Sequence, residues 1–464
     1  MPVCEPLDIF VDIIDCHLST VKVFFRRVEI DSRRVEYSDI FFALKGEYVD
    51  GNDFAKEAIE KGAIFVVMDD KEDFYELKYP NKILVKDSQK ALENFGRYMV
   101  ENYKGVKIAV TGSAGKTSTK SMLASVIGKK YPVYESFKNF NNKLGAAYSA
   151  SNIDLDSEYA IFELGTNSYG ELKFLSEYIK PHAAVVTNIG MSHIGMFEDI
   201  NALAREKLSI LNSLPPADGE DRLNGEVWLH KSCKKYMNDF DADGNLAEKL
   251  NIHYFGDDED SEIRIEEIER NNHIDYVVGL GDKKYKFRIN HVYEHFAMNS
   301  LIPVAVGTRL SIPYNEIFDA IAGFRPLDGR GTLINKDGRI SIIDDSYNAS
   351  FDSILAAIED IHKIQRNSKY AVIGEMAEIG EFADQFCNEL FSVSRSRRDI
   401  TFLFTGESYT AFNESVNVKI FKNKSELKNY LSKLDEGIFL VKASRSQKFE
   451  DIVEFLKEKN KSAV

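Results

Sequence analysis

The chain contains little cysteine, with four cysteines among 464 residues. Cys4, Cys16, Cys233 and Cys387 do not have the spacing of a metal site. So few cysteines in a chain of this length are typical of a protein that works in a reducing compartment. We therefore predict a cytoplasmic protein in which each thiol has only a structural role.

Long apolar runs are also missing. No segment reaches the roughly 20 consecutive apolar residues that a membrane-spanning helix requires. The segment 1–16 has no basic start and carries Asp8, Asp12 and Asp15, so it does not resemble a secretory signal. These absences predict a protein without membrane insertion.

Positive charge is in deficit, since 59 Lys and Arg residues face 74 Asp and Glu residues, which gives a net charge of −15. A nucleic-acid-binding surface needs basic patches, so we expect no nucleic-acid partner. The chain is 44% hydrophobic and 29% charged, which is typical of a soluble globular protein. Its length allows two or three domains with sizeable cores, and we expect a monomer.

The most informative segment is VKIAVTGSAGKTSTK at 106–120. Its β-branched start predicts a strand, a Gly/Ser loop follows, and Lys116 and Thr117 open a segment of helical composition. Such a loop presents backbone N–H groups and the positive end of a helix dipole, both of which favour a polyphosphate. Lys116 could then reach the outer phosphates, and the Thr117 hydroxyl could hold Mg²⁺.

The segment departs from the general P-loop pattern, because Val110 stands where that pattern has a glycine. The shorter Gly-x-x-Gly-Lys-Thr pattern that remains could also be an ordinary turn between a strand and a helix. The flanking strand and helix favour a nucleoside triphosphate site. Its candidate residues are Gly112, Ser113, Ala114, Gly115, Lys116, Thr117 and Ser118.

Strands and helices alternate along most of the chain, which predicts an α/β fold with parallel sheets covered on both faces. Residues 215–290 differ, because three segments there are typical of antiparallel ribbons. The dipeptide Lys104-Gly105 and the segment FRPLDGR at 324–330 are candidate boundaries. We therefore predict three α/β domains in series, at 1–104, 105–326 and 327–464.

Polar side chains follow the predicted strands of the middle region. Glu163 closes the strand AIFELG, Asn188 closes AAVVTNIG, and His193 lies in the next loop. Ligands of open α/β sheets bind at the carboxyl ends of strands, so Glu163 is well placed to hold Mg²⁺ beside the P-loop. For His193 taken alone, a loop histidine without a role is the better interpretation.

Lys207 lies in the predicted helix NALAREKLSIL, with Leu203 and Ile210 on its side of the helix. We therefore expect that it does not project freely into water. The helix alone favours a lysine whose stem is covered by neighbours while its ammonium reaches solvent.

Together these segments resemble the Mur ligases, a family of ATP-dependent enzymes that add amino acids to the peptidoglycan precursor. The resemblance covers nearly the whole chain. The motifs shared across the family are TGSAGKTST at 111–119, AIFELGTNSYGEL at 160–172, VVTNIGMSHIGMF at 185–197, HFAMN at 295–299 and GR at 329–330.

Within the family, further segments resemble the ligase that joins D-alanyl-D-alanine to UDP-N-acetylmuramoyl-tripeptide. These segments are DSRRVEYSDIFFALKGEYVDG at 31–51, NFNN at 139–142, DDSYNAS at 344–350, VIGEMAEIGE at 372–381 and VKASRS at 441–446. The resemblance implies a central P-loop ATPase domain between an N-terminal domain for the UDP-sugar peptide and a Rossmann-like C-terminal domain for a small amine or dipeptide. It also implies a reaction in which ATP converts a carboxylate to an acyl phosphate that an amine then attacks.

The resemblance gives roles to individual residues. It implies that Lys116 neutralises charge on the outer phosphates, that Thr117 and Glu163 hold one Mg²⁺, and that His193 helps to hold a second. It matches Lys207 to a lysine that much of the family carries as a carbamate, an anion able to ligate Mg²⁺. The other implied contacts are Asn299, Arg330 and Asp345 with ATP, and Ser32, Arg33, Asn139 and Asn142 with the UDP-sugar peptide. For the two asparagines of NFNN, an ordinary asparagine-rich turn is a nearly equal interpretation.

The chain departs from the family pattern at Asn52, Lys138, Tyr293, Ser350 and Phe351, none of which belongs to the phosphate or metal set. Another cell-wall or secondary peptide is therefore an alternative acceptor. A P-loop regulatory ATPase that forms no bond is a further alternative. Such a switch would not need the Asn/His strand, Lys207 and a third α/β domain together.

Overall fold

The computed structural model describes residues 25–462, except 138–139, 218, 220–222, 272 and 335–337. Asn139, Lys138 and the segment 1–16, which contains Cys4 and Cys16, lie outside the described residues. The remaining predicted residues can be located in the fold.

The first sheet has four strands, β1 (Val28–Glu29), β2 (Ile40–Phe42), β3 (Phe65–Met68) and β4 (Lys82–Leu84). They run parallel in the order β1-β2-β3-β4. The helices of this region are α1 (Ala55–Glu60), α2 (Lys71–Glu76) and α3 (Ser88–Asn102). Asp87 caps α3 by accepting a hydrogen bond from the N–H of Lys90, and Leu92, Phe95 and Met99 are buried at helical spacing.

The second sheet is formed by β5 (Val106–Thr111), β6 (Val133–Glu135), β7 (Tyr159–Glu163), β8 (Ala183–Val186), β9 (Glu226–His230), β10 (Asn251–Gly256), β11 (Ile263–Arg270), β12 (Ile274–Leu280) and β13 (Lys283–Ile289). Its order is β13-β12-β11-β10-β9-β8-β5-β7-β6. The strands from β6 to β11 pair in parallel, whereas β12 is antiparallel to both β11 and β13. The antiparallel ribbons predicted within 215–290 are therefore confirmed, and they extend this sheet.

Helices cover both faces of the second sheet. They are α4 (Lys116–Ile127), α5 (Lys143–Ser151), α6 (Glu171–Ile179), α7 (Ile200–Leu208), α8 (Lys234–Phe240), α9 (Asn245–Lys249), α10 (Glu294–Arg309) and α11 (Tyr314–Ala322). Ile108 and Val110 of β5 belong to the apolar cluster that includes α4 and α10, whereas Ala109 belongs to the cluster on the opposite face. Every residue of β5 is buried, as expected for a central parallel strand.

The third sheet contains β14 (Thr332–Ile334), β15 (Ile340–Asp345), β16 (Lys369–Ile373), β17 (Thr401–Thr405), β18 (Val418–Phe421) and β19 (Gly437–Lys442). Its order is β14-β15-β19-β16-β17-β18, and β14 is antiparallel to β15 while the other pairs are parallel. Its helices are α12 (Phe351–Lys363), α13 (Ala383–Ser396), α14 (Lys424–Leu431) and α15 (Glu450–Ser462). The predicted α/β class with parallel sheets is confirmed, while the domain boundaries after residues 104 and 326 stay predictions.

The first sheet region packs on α5 of the second. A Cβ at Gly96 in α3 would lie 2.7 Å from the carbonyl oxygen of Ala147 in α5, so glycine allows the two helices to approach closely. Arg34 donates to Glu29 at 3.0 Å and to the hydroxyl of Tyr148 at 3.2 Å. These contacts fix the first region beside α5.

Candidate active site

The predicted phosphate loop lies between the end of β5 and the start of α4. Gly112 and Gly115 have φ angles of +139° and +80°, which favour glycine. A Cβ at Gly112 would lie 2.1 Å from Oγ1 of Thr187, and one at Gly115 would lie 2.6 Å from Oδ1 of Asn299. With Gly115 as its N-cap, α4 begins at Lys116 and presents its N-terminal N–H groups at the loop.

The side chain of Asn188 holds this loop in place. Its Oδ1 accepts hydrogen bonds from the N–H groups of Ser113 at 2.9 Å and Ala114 at 2.8 Å. Nζ of Lys116 lies against the same loop and donates to the carbonyl oxygen of Gly112 at 2.8 Å. Burial lowers the pKa of the Lys116 ammonium. The loop therefore carries a cation close to its own backbone, within the region where an anion would bind.

A buried carboxylate lies beside the loop. Oε2 of Glu163 accepts a hydrogen bond from the Thr117 hydroxyl at 2.8 Å, and Oε1 accepts one from Nδ2 of Asn141 at 2.7 Å. Glu163 is 2% exposed. A hydroxyl and a carboxylate that meet at a phosphate loop are the oxygen ligands that Mg²⁺ prefers, so these residues fit the metal. Among the described residues no three His, Cys, Asp or Glu side chains form a metal-sized group, so phosphate and water oxygens would complete the coordination.

His193 meets a carboxylate from the third sheet region. Its Nδ1 lies 2.5 Å from Oε2 of Glu378, which follows β16. His193 lowers the pKa of the Glu378 carboxyl, although its buried Nδ1 makes no hydrogen bond of good geometry with another described residue. His193 has a φ of 65°, and Glu378 has a φ of 60°, so both residues occupy the left-handed region. His193, the residue predicted to ligate the second metal, is thus contacted by a residue from another part of the chain.

Lys207 of α7 is 1% exposed, which confirms the expectation that it does not project freely into water. Its ammonium makes no hydrogen bond or ion pair with any other described residue. Burial, followed by the charge of Lys116, lowers the pKa of Lys207 to about 7. A large share of this amine is therefore neutral near neutral pH, and it lies close enough to Lys116 for their charges to interact.

Two adjoining cavities, of about 340 and 420 Å³, lie between the second and third sheets. The first is lined by the predicted nucleotide residues Asn299, Arg330, Asp345 and Ser118. The second is lined by the predicted phosphate and metal residues Lys116, Thr117, Glu163 and His193. Ser113, Ala114 and Gly115 line both cavities, so the phosphate loop joins them.

The third sheet region contributes cations to this space. The guanidinium carbons of Arg330 and Arg445 lie 4.1 and 5.3 Å from the ring centroid of Tyr347. Nζ of Lys442 donates to Oδ2 of Asp345 at 2.6 Å. Opposite them, Nδ2 of Asn299 is buried and has no hydrogen-bond partner among the described residues. A nucleotide acceptor atom in the first cavity could satisfy that donor.

The residues predicted to bind the UDP-sugar peptide do not all lie around the two cavities. Asn142 lines the larger cavity, but its side chain caps α5 by accepting from the N–H of Gly145 at 2.9 Å. The Ser32 hydroxyl donates to Glu57 at 2.9 Å, and Arg33 donates to Asp31. Neither Ser32 nor Arg33 lines either cavity.

Sequence reasoning missed several residues of this site. Asn141 and Glu378 contact the metal candidates, and Tyr347 lies under two arginines. All three lie within segments that carry the family resemblance, and that resemblance was the one feature of the sequence that could have identified them. Nothing in their spacing indicated these contacts, because each contact joins elements that are distant in the chain.

Comparison with known proteins places this geometry in a family. Residues 110–307 match the Mur ligase middle domain, and residues 25–99 match the Mur ligase family catalytic domain. A UDP-N-acetylmuramoyl-tripeptide–D-alanyl-D-alanine ligase from Rickettsia prowazekii is 30% identical over 442 residues, with 92% of this chain and 94% of the relative covered. The chain belongs to the Mur ligase family.

Solved structures of the Mur ligase family share the fold. A crystal structure of MurF from Acinetobacter baumannii has a TM-score of 0.80 and 24% identity, with 98% of this chain and 100% of that chain covered. MurF ligase from Thermotoga maritima in complex with ADP has a TM-score of 0.77 and 22% identity, with 95% and 99% covered. The predicted three-domain Mur ligase architecture is thereby confirmed. No helix within the described part of this chain is long and apolar enough to cross a membrane.

Proposed function

We infer that this Mur ligase is an ATP-dependent peptide ligase that joins D-alanyl-D-alanine to UDP-N-acetylmuramoyl-tripeptide during synthesis of the peptidoglycan precursor. The observation that carries the inference is a phosphate loop, a buried carboxylate and third-sheet cations around two joined cavities. The relative from Rickettsia prowazekii is named for this reaction, and the Thermotoga maritima protein is described with ADP.

In the first step, a carboxylate oxygen of the UDP-sugar peptide attacks the γ-phosphorus of ATP. The bond from that phosphorus to the bridging oxygen breaks, and ADP leaves as the acyl phosphate forms. Lys116 supplies positive charge to the outer phosphates once its Nζ exchanges the Gly112 carbonyl for a phosphate oxygen. The start of α4 adds N–H groups and the positive end of its dipole.

In the second step, the amine of the dipeptide attacks the acyl carbon, loses a proton, and expels phosphate. Arg330 lines both cavities and offers a fixed positive charge to the departing phosphate. The space lies between two sheet regions, so their contact excludes water that would otherwise hydrolyse the acyl phosphate. Positioning and charge stabilisation are thus the work of residues from both regions.

Thr117 and Glu163 would hold one Mg²⁺, and His193 with a carbamylated Lys207 would hold a second. When bound, these ions would offset the negative charge on the phosphoryl oxygens. Support comes from the hydrogen bond between Thr117 and Glu163 at 2.8 Å. For Lys207, support comes from its burial and from the lack of an ion pair to another described residue, because a carbamate forms from an unpaired neutral amine.

We further propose that the enzyme works in the cytoplasm as a monomer without a nucleic-acid partner, as its composition predicts. We assign Asn299, Arg330 and Asp345 to ATP, and Ser32, Arg33, Asn139 and Asn142 to the UDP-sugar peptide. A ligase for another cell-wall peptide keeps the same chemistry and differs in the acceptor alone.

The test is phosphate release from ATP across a panel of UDP-N-acetylmuramoyl-peptides and candidate amines. We expect release that requires both a UDP-tripeptide and D-alanyl-D-alanine. Release with a different pair would identify another ligase. ATP hydrolysis that ignores both substrates would contradict ligation and favour a regulatory ATPase.

A further inference from the structure

The loop 188–195 connects the two halves of the phosphate and metal site. Asn188 at its start accepts two hydrogen bonds from the phosphate loop. His193 near its end lines the larger cavity. Any group that fixes this loop therefore acts on the phosphate loop and on the second metal candidate together.

The C-terminal region, meaning residues 327–462, holds this loop at three points. The N–H of Met191 donates to Oδ2 of Asp352 at 2.5 Å. The N–H of Gly195 donates to the carbonyl oxygen of Glu378 at 3.0 Å. The third point is the Glu378 carboxylate itself, 2.5 Å from Nδ1 of His193. Glu378 thus holds the loop through both its backbone and its side chain.

The two backbones pack closely at this contact, with no space for a Cβ at either glycine. A Cβ at Gly195 would lie 2.5 Å from the nitrogen of Gly380, and one at Gly380 would lie 2.9 Å from Cα of Gly195. His193 and Glu378 both have positive φ, a conformation that non-glycine residues keep only where the surroundings impose it. Docking of the C-terminal region therefore determines where the His193 ring lies.

The contact with Glu378 bears on which ring nitrogen of His193 carries the proton. A neutral imidazole has an N–H on one ring nitrogen and a lone pair on the other. The group that contacts Nδ1 therefore decides whether the proton lies on Nδ1 or on Nε2. A carboxylate at Nδ1 holds the proton there and leaves the lone pair on Nε2. Carboxylates that orient a metal-binding histidine in this way are common outside the ligand shell.

We propose that Glu378 is a positioning residue that fixes the tautomer and orientation of His193 when the C-terminal region docks, so that Nε2 faces the second metal position. This inference rests on the proposed function, because the metal and phosphates are those of the ligase reaction. If Glu378 acts in this way, the C-terminal region, which receives the amine, is also required for the earlier step in which the acyl phosphate forms.

A rival role is available to Glu378, since it lines the cavity in which the amine would attack. A carboxylate there could remove the proton from the amine directly. The two roles differ in timing. Positioning of His193 affects acyl phosphate formation before any amine is present, whereas a base for the amine affects only the second step.

The first experiment reads the tautomer without activity or metal. Protein labelled with ¹⁵N-histidine is examined by NMR at pH 8, free and with a non-hydrolysable ATP analogue, and His193→Gln assigns the signal. We expect a proton on Nδ1 in the wild type in at least one of these states, and its loss in Glu378→Ala. Glu381→Ala is the matched control, because Glu381 is exposed in the same segment. An unprotonated Nδ1 in both wild-type states, or a tautomer unchanged in Glu378→Ala, would overturn the proposal.

The second experiment measures single-turnover acyl phosphate formation with ATP and UDP-sugar peptide in the absence of amine. We expect Glu378→Ala to lower this rate by about 10- to 100-fold, with a smaller loss in Glu378→Gln, whose amide oxygen can still accept from Nδ1. A wild-type rate in Glu378→Ala, combined with a slow second step, would overturn positioning in favour of the amine base. If the wild type forms no acyl phosphate, the proposed function fails, while the tautomer measurement still decides the contact.

Discussion

The phosphate end of the active site and the first sheet region differ in how they hold their predicted residues. Glu163 is 2% exposed, and both of its carboxylate oxygens accept hydrogen bonds. The Arg33 side chain is 82% exposed and pairs with Asp31, two residues away. The phosphate end is thus preorganised by strand ends, whereas the first sheet region offers an exposed side chain whose partner is a near neighbour in the sequence. This difference predicts that substitutions at the two ends change different kinetic constants.

The largest effect is expected at Lys116. Lys116→Ala should lower turnover by about 10³-fold or more, because no other residue of the phosphate loop supplies a cation at the γ-phosphate. Steady-state phosphate release measures it, and Lys129→Ala, at an exposed turn position just after the end of α4, is the control. Retention of more than about a tenth of wild-type activity would contradict the assignment of the loop.

Lys207 tests whether the buried amine is used as an anion. Lys207→Ala should lose most activity, and bicarbonate or a short carboxylic acid should restore part of it by supplying the missing negative charge. Lys207→Arg should stay inactive, because a guanidinium keeps its positive charge. Activity of Lys207→Arg equal to the wild type would show that Lys207 acts as a cation or only as packing.

Glu163 should show an intermediate effect. Glu163→Gln keeps the shape and can still accept from Thr117, but it loses the anionic ligand, so we expect about 10²-fold lower kcat and a higher Mg²⁺ requirement. A magnesium titration of phosphate release measures both. Glu158→Gln, at the exposed position just before β7, is the control. An unchanged magnesium dependence would remove Glu163 from the metal site.

The smallest effect is expected at Arg33. Because its guanidinium is exposed and touches only Asp31 among the described residues, Arg33→Ala should leave the unfolding transition and kcat nearly unchanged. It should raise KM for the UDP-sugar peptide several-fold. Initial rates at varied UDP-sugar peptide measure this change, with KM for ATP as the internal control. An unchanged KM would remove Arg33 from the acceptor site.

The same contrast explains what could be predicted from the sequence. The phosphate loop, Glu163 and His193 follow strands in one parallel sheet, so strand order alone gathers their side chains at one edge. Glu378 and Asp352 reach that edge from another sheet, and no local spacing encodes such docking. Ser32 and Arg33 were identified only by the family resemblance, and the structure brings neither to the cavities.

Short edge strands were missed for a related reason. The strands β14 and β18, which were not predicted, have three and four residues and lie at the two edges of the third sheet. Runs of that length carry too little periodicity to distinguish a strand from a loop. By contrast, β5 is a longer, mainly apolar and β-branched segment that is buried throughout, and its composition was sufficient to predict the strand.

The central claim is that the phosphate loop, Glu163 and His193 form one nucleotide and metal site. The most direct measurement is a crystal structure with a non-hydrolysable ATP analogue and Mn²⁺, with the metal located by anomalous scattering. We predict one manganese within direct or water-mediated reach of Thr117 and Glu163, and a second at His193. A triphosphate bound away from residues 112–117, or Glu163 and His193 side chains that both face away from any metal, would contradict the account.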